Sequence, residues 1–187
     1  MHLTHPPEAD GGRSASKHSS DSRLSRRLSF IRRHPLYVSS YQRLLELEQD
    51  RIFCRHQMDH LLDVARIAYI LNLETPLGLS RDLIYATALL HDIGKSRQYE
   101  EGIPHEIAGA EIARQILSDM PPEISFTTEE QQEILTAIRG HRRLRKHAGP
   151  LESLLYKSDK MSRACFACPA EPECSWSNEK KNMEIRL

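Results

Sequence analysis

The sequence lacks the features of a membrane protein or of an exported, disulfide-bonded protein. None of its apolar runs approaches the roughly 20 residues of a membrane helix. Its first 35 residues contain no continuous apolar stretch typical of a signal peptide. Only four of its 187 residues are cysteine, which in a chain without an export signal argues for free thiols or metal ligands. We therefore expect a soluble, cytoplasmic protein with no membrane partner.

The chain also has no net charge, because 26 Lys and Arg balance 26 Asp and Glu. This balance excludes a uniformly basic nucleic-acid binder and argues against a nucleic-acid partner. Residues 1–35 are an exception, with seven Lys and Arg against three Asp and Glu. They are rich in serine and poor in large apolar residues, so they are predicted to form a disordered tail. A weak nucleic-acid arm and a targeting segment remain alternative interpretations of this tail.

From residue 36 onward the apolar pattern is helical, and no apolar–polar alternation is long enough to predict a strand. Capping residues, prolines and glycines predict about six helices, at 39–52, 56–73, 81–93, 105–119, 128–141 and 151–164. Short connections favour antiparallel or sharply angled neighbours. The predicted fold is all-α, a compact helical bundle over residues 36–164. A cysteine-containing clasp and tail follow at 165–187.

Five of the predicted helices place a histidine or an aspartate on an otherwise apolar face. His60, for example, precedes apolar residues at steps of four, three and four, which is the spacing of one helix face. Any one such residue alone is typical of a hydrogen-bonded core side chain. A buried imidazole or carboxylate needs bonding partners. Because five helices direct such side chains inward, a shared metal centre is the better explanation. The candidate ligands are His60, His91, Asp92, His105, His141 and Asp159.

The order of these residues resembles that of a known family. His60-Leu-Leu-Asp-Val-Ala, then His91-Asp92-Ile-Gly-Lys, then a late Asp159, is similar to the HD superfamily of metal-dependent phosphohydrolases across residues 52–164. The resemblance implies an all-helical domain built around a metal site. It also implies one divalent ion held by the two histidines and the two aspartates.

Two further histidines resemble the added ligands of the dinuclear branch of that family. They lie in His105-Glu-Ile-Ala-Gly-Ala and in Ala-Ile-Arg-Gly-His141, and the resemblance implies that Asp92 bridges two ions. Imidazole and carboxylate ligands suit Fe, Mn, Co or Zn. Bacterial enzymes that split diadenosine tetraphosphate symmetrically show a similar order. This chain departs from them after His141, where a basic segment follows.

The activity implied by the resemblance is hydrolysis of a phosphoester or phosphoanhydride, in a small phosphorylated substrate expected to be a nucleotide. Metal-activated water would attack, with Asp92 and Lys95 as the catalytic residues. The sequence contains no Gly-x-Ser-x-Gly element and no glycine-rich phosphate loop. The arginines after His141 could equally form a solvated basic turn. The candidates for binding substrate phosphate are Lys95, Arg142, Arg143, Arg145 and His56.

The four cysteines form a second candidate site. Cys165-x-x-Cys168 is followed by Cys174, and Cys54 is the remaining cysteine. Cys54 and Cys165 each lie six residues outside a candidate metal ligand, so neighbouring helices could bring them together. The pattern predicts a structural zinc or an iron–sulfur cluster, with reduced thiols in a loop as the alternative.

Two other functions are compatible with the same ligand set. One is a non-catalytic HD module that senses a nucleotide and regulates a partner. The other is a mixed-valent di-iron oxygenase on the same scaffold. The intact ligand set favours the hydrolase, and the sequence does not predict an oligomeric state.

Overall fold

The computed structural model describes residues 14–185, with side chains from residue 22. These residues contain eight α-helices and two short 3-10 turns, joined by loops. No strand occurs in this range, so the all-α prediction is confirmed. No helix among the described residues is long and apolar enough to cross a membrane. The helices are α1 (Ser14–Arg33), α2 (Pro35–Leu47), α3 (Met58–Glu74), α4 (Arg81–Leu90), α5 (Lys95–Glu101), α6 (His105–Ser118), α7 (Thr128–Gly140) and α8 (Pro150–Met161), followed by the turns Cys165–Ala167 and Glu171–Glu173.

Helix α1 lies within the segment 1–35 that the sequence predicts to be a disordered tail. Ile31 is fully buried in the core. The Arg27 guanidinium pairs with Asp82 at 3.1 Å and donates to two backbone carbonyls before α7, at 2.9 and 2.8 Å. The prediction of disorder is therefore corrected for α1, because an apolar side chain and a multiply bonded arginine dock the helix. Residues 1–13 lie outside the described residues.

Helix α2 begins four residues before the predicted start at 39. Pro35 occupies the first helical turn, where its fixed φ favours a helix start. The His34 ring caps this turn by accepting from the backbone nitrogen of Leu36 at 3.2 Å. The helix ends at Leu47, and the loop before α3 carries Cys54 and His56.

Helix α5 is absent from the predicted set, because its seven residues are mostly polar and bury only Ser96. The predicted helix 81–93 ends at Leu90, and Gly94 immediately precedes α5. A Cβ on Gly94 would lie 2.3 Å from the backbone nitrogen of Gly109 in α6. Glycine is thus required here by a close approach of two backbones, and this approach brings α6 against the turn after α4.

The core is enclosed mainly by α3, α4, α6, α7 and α8. Helix α3 packs against α4 and α8, and α7 packs against α6 and α8. Val64, Leu90, Ile116 and Ile138 are fully buried where these helices meet. Because the apolar faces point inward, a polar side chain on the same face also points inward, and five helices contribute one near an end.

Candidate metal centre

Six buried polar side chains converge at the ends of these five helices. His60 lies in the first turn of α3, His91 follows α4, His105 begins α6, His141 follows α7 and Asp159 lies in the last turn of α8. Their ligand atoms form two groups within 4.8 Å of one another: His60, His91, Asp92 and Asp159, and Asp92, His105 and His141.

Asp92 belongs to both groups and divides its two oxygens between them. Its Oδ2 lies 3.4 Å from Nε2 of His60 and 3.1 Å from Nε2 of His91. Its Oδ1 lies 3.3 Å from Nε2 of His105 and 3.6 Å from Nε2 of His141. A carboxylate in this position can bridge two cations.

Hydrogen bonds at Nδ1 orient the imidazole rings toward the centre. Nδ1 of His91 donates to the carbonyl of Ala88 at 2.7 Å, and Nδ1 of His141 donates to the carbonyl of Ile138 at 2.6 Å. A carbonyl can only accept, so Nδ1 carries the hydrogen and Nε2 keeps its lone pair. In both rings Nε2 faces the ligand group, which is the tautomer that metal binding needs.

The other two histidines are held in a similar way. Nδ1 of His60 lies 3.1 Å from Oγ of Ser162, and this hydroxyl donates to the carbonyl of Asp159 at 2.8 Å. The hydroxyl therefore accepts from His60. Nδ1 of His105 contacts the side-chain oxygen of Gln98, which also accepts. All four Nε2 atoms thus present lone pairs to the centre.

Several of these lone pairs lack a hydrogen-bond donor. The buried Nε2 of His91 has no hydrogen-bond partner among the described residues. Nε2 of His105 lies 3.0 Å from Nε2 of His141, and two lone pairs at this distance repel each other. A cation between them removes the repulsion, so the residues fit a bound divalent ion. The two His/Asp groups are consistent with a dinuclear metal site.

The protonation states also suit metal binding. Burial lowers the pKa of His60 to about 4 and that of His105 to about 2, so both rings are neutral near pH 7. Burial alone would raise the pKa of Asp92, but the imidazoles around it, His91 first, hold the pKa well below its usual range. At His91 burial alone would lower the pKa, but the Asp92 carboxylate raises it above its usual value, so without an ion this ring favours a proton that a cation at Nε2 would replace. The centre therefore favours positive charge beside Asp92.

A cavity of about 180 Å³ opens onto both groups. Two basic residues that line it, Lys160 and Arg163, were not among the predicted site residues, although they follow Asp159 closely in the sequence. Burial alone would raise the pKa of Asp159, but Arg163 and Lys160 hold that pKa below its usual range. Nη2 of Arg163 lies 3.3 Å from Oδ1 of Asp159 and 2.9 Å from Nε2 of His60. The other unpredicted lining residues are Gln98, Trp176 and Lys180.

The predicted phosphate-binding residues separate into two sets. Lys95, Arg142, Arg143 and His56 line the cavity. Arg145 does not, because both arms of its guanidinium bind the buried carboxylate of Glu152. An ionised carboxylate in the interior requires such a partner, so Arg145 is bound to Glu152 in this structure, and its binding of substrate phosphate stays a prediction.

His56 is held by a buried carboxylate next to the centre. Its backbone nitrogen donates to Oε2 of Glu48 at 2.7 Å, and its ring Nδ1 lies 2.5 Å from Oε1. The Tyr99 hydroxyl donates to the same oxygen at 2.8 Å. Nε2 of His56 lies 4.0 Å from Oδ2 of Asp92. The ring is thus fixed at the edge of the first ligand group.

The four cysteines are all free thiols. They do not form a group as close as the two His/Asp groups. Cys54, Cys165 and Cys174 line a second cavity, of about 150 Å³.

Comparison with known proteins relates this chain to one family. The HD domain family model matches residues 58–170. An uncharacterized protein of Clostridium beijerinckii is 46% identical over 149 residues, which cover 80% of this chain and 91% of that protein.

More distant similarities involve parts of larger enzymes. The bifunctional uridylyltransferase/uridylyl-removing enzyme of Cereibacter sphaeroides is 28% identical over 138 residues, 67% of this chain and 14% of that enzyme. Ribonuclease Y of Clostridium botulinum is 32% identical over 81 residues, 43% of this chain and 15% of that enzyme. The crystal structure of a predicted HD superfamily hydrolase from an uncultured Thermotogales bacterium has a TM-score of 0.56 at 19% identity, covering 81% of this chain and 82% of that one. This last similarity concerns the fold.

Proposed function

This chain belongs to the HD domain family, and we propose that it is a metal-dependent phosphohydrolase that cleaves a phosphoester or phosphoanhydride. The observation that carries the proposal is the position of Asp92, whose two oxygens face two separate sets of imidazole lone pairs. The donor set suits Fe, Mn, Co or Zn. Two such ions would supply an acidified water and stabilise charge on the reacting phosphoryl oxygens.

The side chains around the centre suit a phosphate. Lys95, Arg143 and Lys160 bring positive charge to the cavity, and cations of this kind bind phosphate oxygens through charge-assisted hydrogen bonds. Burial lowers the pKa of Lys95, so an anion close to it regains the interaction that water would supply. The described residues that line the cavity include no serine, threonine or cysteine. Attack by water, without a covalent intermediate on the protein, fits this lining.

We extend the proposal to a nucleotide substrate. A cavity of about 180 Å³ is smaller than the roughly 300–1,000 Å³ of sites that enclose a whole drug-sized ligand. It suits the reacting phosphate, with the rest of the substrate outside. Trp176 lines the same cavity, and an indole is a stacking surface for a base.

The names of two relatives concern nucleotide chemistry as well, since one removes uridylyl groups and the other is a ribonuclease. This chain covers only 14–15% of those enzymes, so the names support only the substrate class. The similarity in motif order to symmetrical diadenosine tetraphosphate hydrolases makes that dinucleotide the first substrate to test.

The test is a hydrolysis screen on the metal-loaded protein with mononucleotides, cyclic nucleotides and diadenosine tetraphosphate. Asp92→Asn should lower turnover by about 10³-fold or more and lower the bound metal, since metal-based stabilisation is worth several kcal/mol. Asp63→Asn removes an exposed carboxylate of α3 and should leave both unchanged. Full turnover by Asp92→Asn would contradict the proposal.

The screen also separates the alternative functions. A nucleotide that binds to the metal-loaded protein without being hydrolysed would indicate the sensing module. Oxygen consumption with an organic substrate would indicate the di-iron oxygenase.

A further inference from the structure

The segment after α8 repeats one backbone geometry, and each repeat presents a thiol. Each of its two 3-10 turns ends at a cysteine, Cys168 with φ −84° and ψ 120° and Cys174 with φ −75° and ψ 124°. The backbone nitrogen of Cys168 donates to the carbonyl of Cys165 at 3.2 Å, and that of Cys174 donates to the carbonyl of Glu171 at 3.1 Å. The two turns pack against each other. A short segment thus presents three thiols from two hydrogen-bonded turns.

The fourth thiol comes from a distant part of the sequence. Cys54 lies in the loop before α3 and lines one cavity of about 150 Å³ together with Cys165 and Cys174. Cys168 does not line this cavity, but the first turn joins it to Cys165 through the backbone hydrogen bond at 3.2 Å. The fold has therefore brought Cys54 to the C-terminal cysteines, and all four are free thiols.

The charges around these thiols favour an anionic occupant. Arg51, Lys95 and Arg163 line the cavity, and no carboxylate does among the described residues. Arg163 also pairs with Asp159 at 3.3 Å, and Arg51 lies 3.9 Å from Glu48. A metal centre with four thiolate ligands carries net negative charge, and the positive charge that lines this cavity favours such a centre.

The spacing of the sulfur atoms favours one of two kinds of thiolate centre. A single tetrahedral zinc with Zn–S bonds of 2.3 Å places its sulfur atoms about 3.8 Å apart. The four sulfur atoms of this chain form no group within 4.8 Å, whereas the His/Asp ligand atoms do. In an iron–sulfur cluster the iron atoms lie between the cysteines, so the cysteine sulfurs are farther apart. A cavity between the thiols suits that arrangement.

We propose that Cys54, Cys165, Cys168 and Cys174 hold an iron–sulfur cluster, a second centre that is separate from the His/Asp centre. The cluster joins the loop before α3 to the C-terminal segment. It thereby holds in place the residues of that segment, Trp176 and Lys180, that form one wall of the cavity at the His/Asp centre, called the catalytic cavity below.

The wall begins immediately after the last cysteine. Trp176 follows Cys174 by two residues and lines both the thiol cavity and the catalytic cavity, and Lys180 lines the catalytic cavity. Nζ of Lys160 lies 5.3 Å from the Trp176 ring, which is a cation–π contact. Without the cluster this wall would be attached mainly through Asn182, which donates to the carbonyls of Met161 and Arg163 at 3.0 Å. The wall's role toward substrate rests on the proposed function.

The cluster is tested on the full chain purified without oxygen, by iron and acid-labile sulfide per chain and by visible absorption. Wild type should contain iron with matching sulfide, and Cys168→Ser should lose both. The matched control is Ser175→Ala, a change next to Cys174 that leaves every thiol in place and should retain both. Asp92→Asn should also retain the sulfide-matched iron while losing the metal of the His/Asp centre, so this test and that of the proposed function fail independently.

Three outcomes would overturn the cluster. They are wild-type protein without sulfide, zinc bound by the thiols in place of iron and sulfide, and a Cys168→Ser variant that keeps both. Because the first two are read on the wild-type protein, a folding defect in the variant does not obscure them.

The wall is tested by kinetics on the same variants. Cys168→Ser should raise KM about tenfold or more while the His/Asp metal stays bound, since stacking on one aromatic ring is worth about 1–3 kcal/mol. Trp176→Ala should raise KM similarly but keep iron and sulfide. An unchanged KM in Cys168→Ser would refute the proposed role of the wall in substrate binding, but it would not contradict the presence of the cluster in the wild-type protein.

Discussion

Replacing Gly94 with alanine should disable half of the metal centre without changing a ligand. Gly94 lies in the turn two residues after Asp92, where this turn meets α6. A Cβ there would lie 2.3 Å from the carbonyl oxygen of His105 and 2.3 Å from the backbone nitrogen of Gly109, whereas an ordinary contact is 3.4–4 Å. Both atoms belong to the backbone, so no side-chain rotation relieves the clash. The turn and α6 must separate by about 1 Å.

The separation acts on the second ligand group, because it moves His105 relative to Asp92. Metal–ligand distances tolerate only about 0.2 Å of error, so the ion held with His141 should be lost. The group that contains His60 does not include α6 and should keep its ion. Overpacking of this kind costs about 1–3 kcal/mol, which lowers the Tm of a chain of this length by on the order of 5 °C.

The assay is divalent metal per chain, after subtraction of any iron matched by sulfide, together with turnover and Tm. We expect Gly94→Ala to bind one equivalent fewer than wild type and to lose turnover. Gly149→Ala is the control, because its Cβ would meet no atom within 4 Å and its φ is an ordinary −66°. If Gly94→Ala kept both ions and full turnover, α6 would be able to move without displacing His105, and the reasoning would be refuted.

Three further changes test other parts of the structure. Burial alone would raise the pKa of Glu48, but the hydrogen bonds from His56 lower this pKa to about 2. About 3 kcal/mol of unfolding free energy is therefore present above pH 4.5 and is lost as the pH falls toward 2. In urea titrations the unfolding free energy of Glu48→Gln should change less with pH in this range than that of wild type, and an unchanged pH dependence would contradict the role of Glu48. Arg27→Met leaves Asp82 and two carbonyls unpaired, which should cost about 2–4 kcal/mol in thermal unfolding, and a wild-type Tm would show that α1 adds little. Lys95→Met should raise KM about tenfold with the metal content unchanged, because a charge-assisted phosphate contact is worth about 1.5–3 kcal/mol; an unchanged KM would exclude Lys95 from substrate binding.

Most of the metal centre follows from local sequence. His60, His105 and Asp159 each lie on the apolar face of an amphipathic helix. The direction of a side chain from a helix depends only on backbone geometry, so the stripe alone directs the polar residue inward. The adjacent His91 and Asp92 follow the same logic at the end of α4. The choice of residues for both groups was therefore accessible without a structure.

Local pattern was a poor guide where tertiary contacts hold an element in place. Helix α5 is short and mostly polar, and α1 is held by Ile31 and by the bonds of Arg27 to distant loops. Neither helix has the long apolar stripe that identifies the others. The cations around the cavity were also only partly predictable, because a long flexible side chain binds whichever carboxylate the fold places nearby. Glu152 binds Arg145 in this way, while Arg163 turns toward Asp159.

The amino-acid sequence alone thus determined which faces are buried and which polar residues lie on them. The distances depend on packing between segments far apart in the chain. The contact of Gly94 with Gly109 sets the position of α6. Because of this position, the two oxygens of Asp92 face different ligand groups. The meeting of Cys54 with the C-terminal cysteines likewise depends on how α3 and α8 pack. Backbone geometry sets the direction of each side chain, and only the packed core sets the distance between two of them.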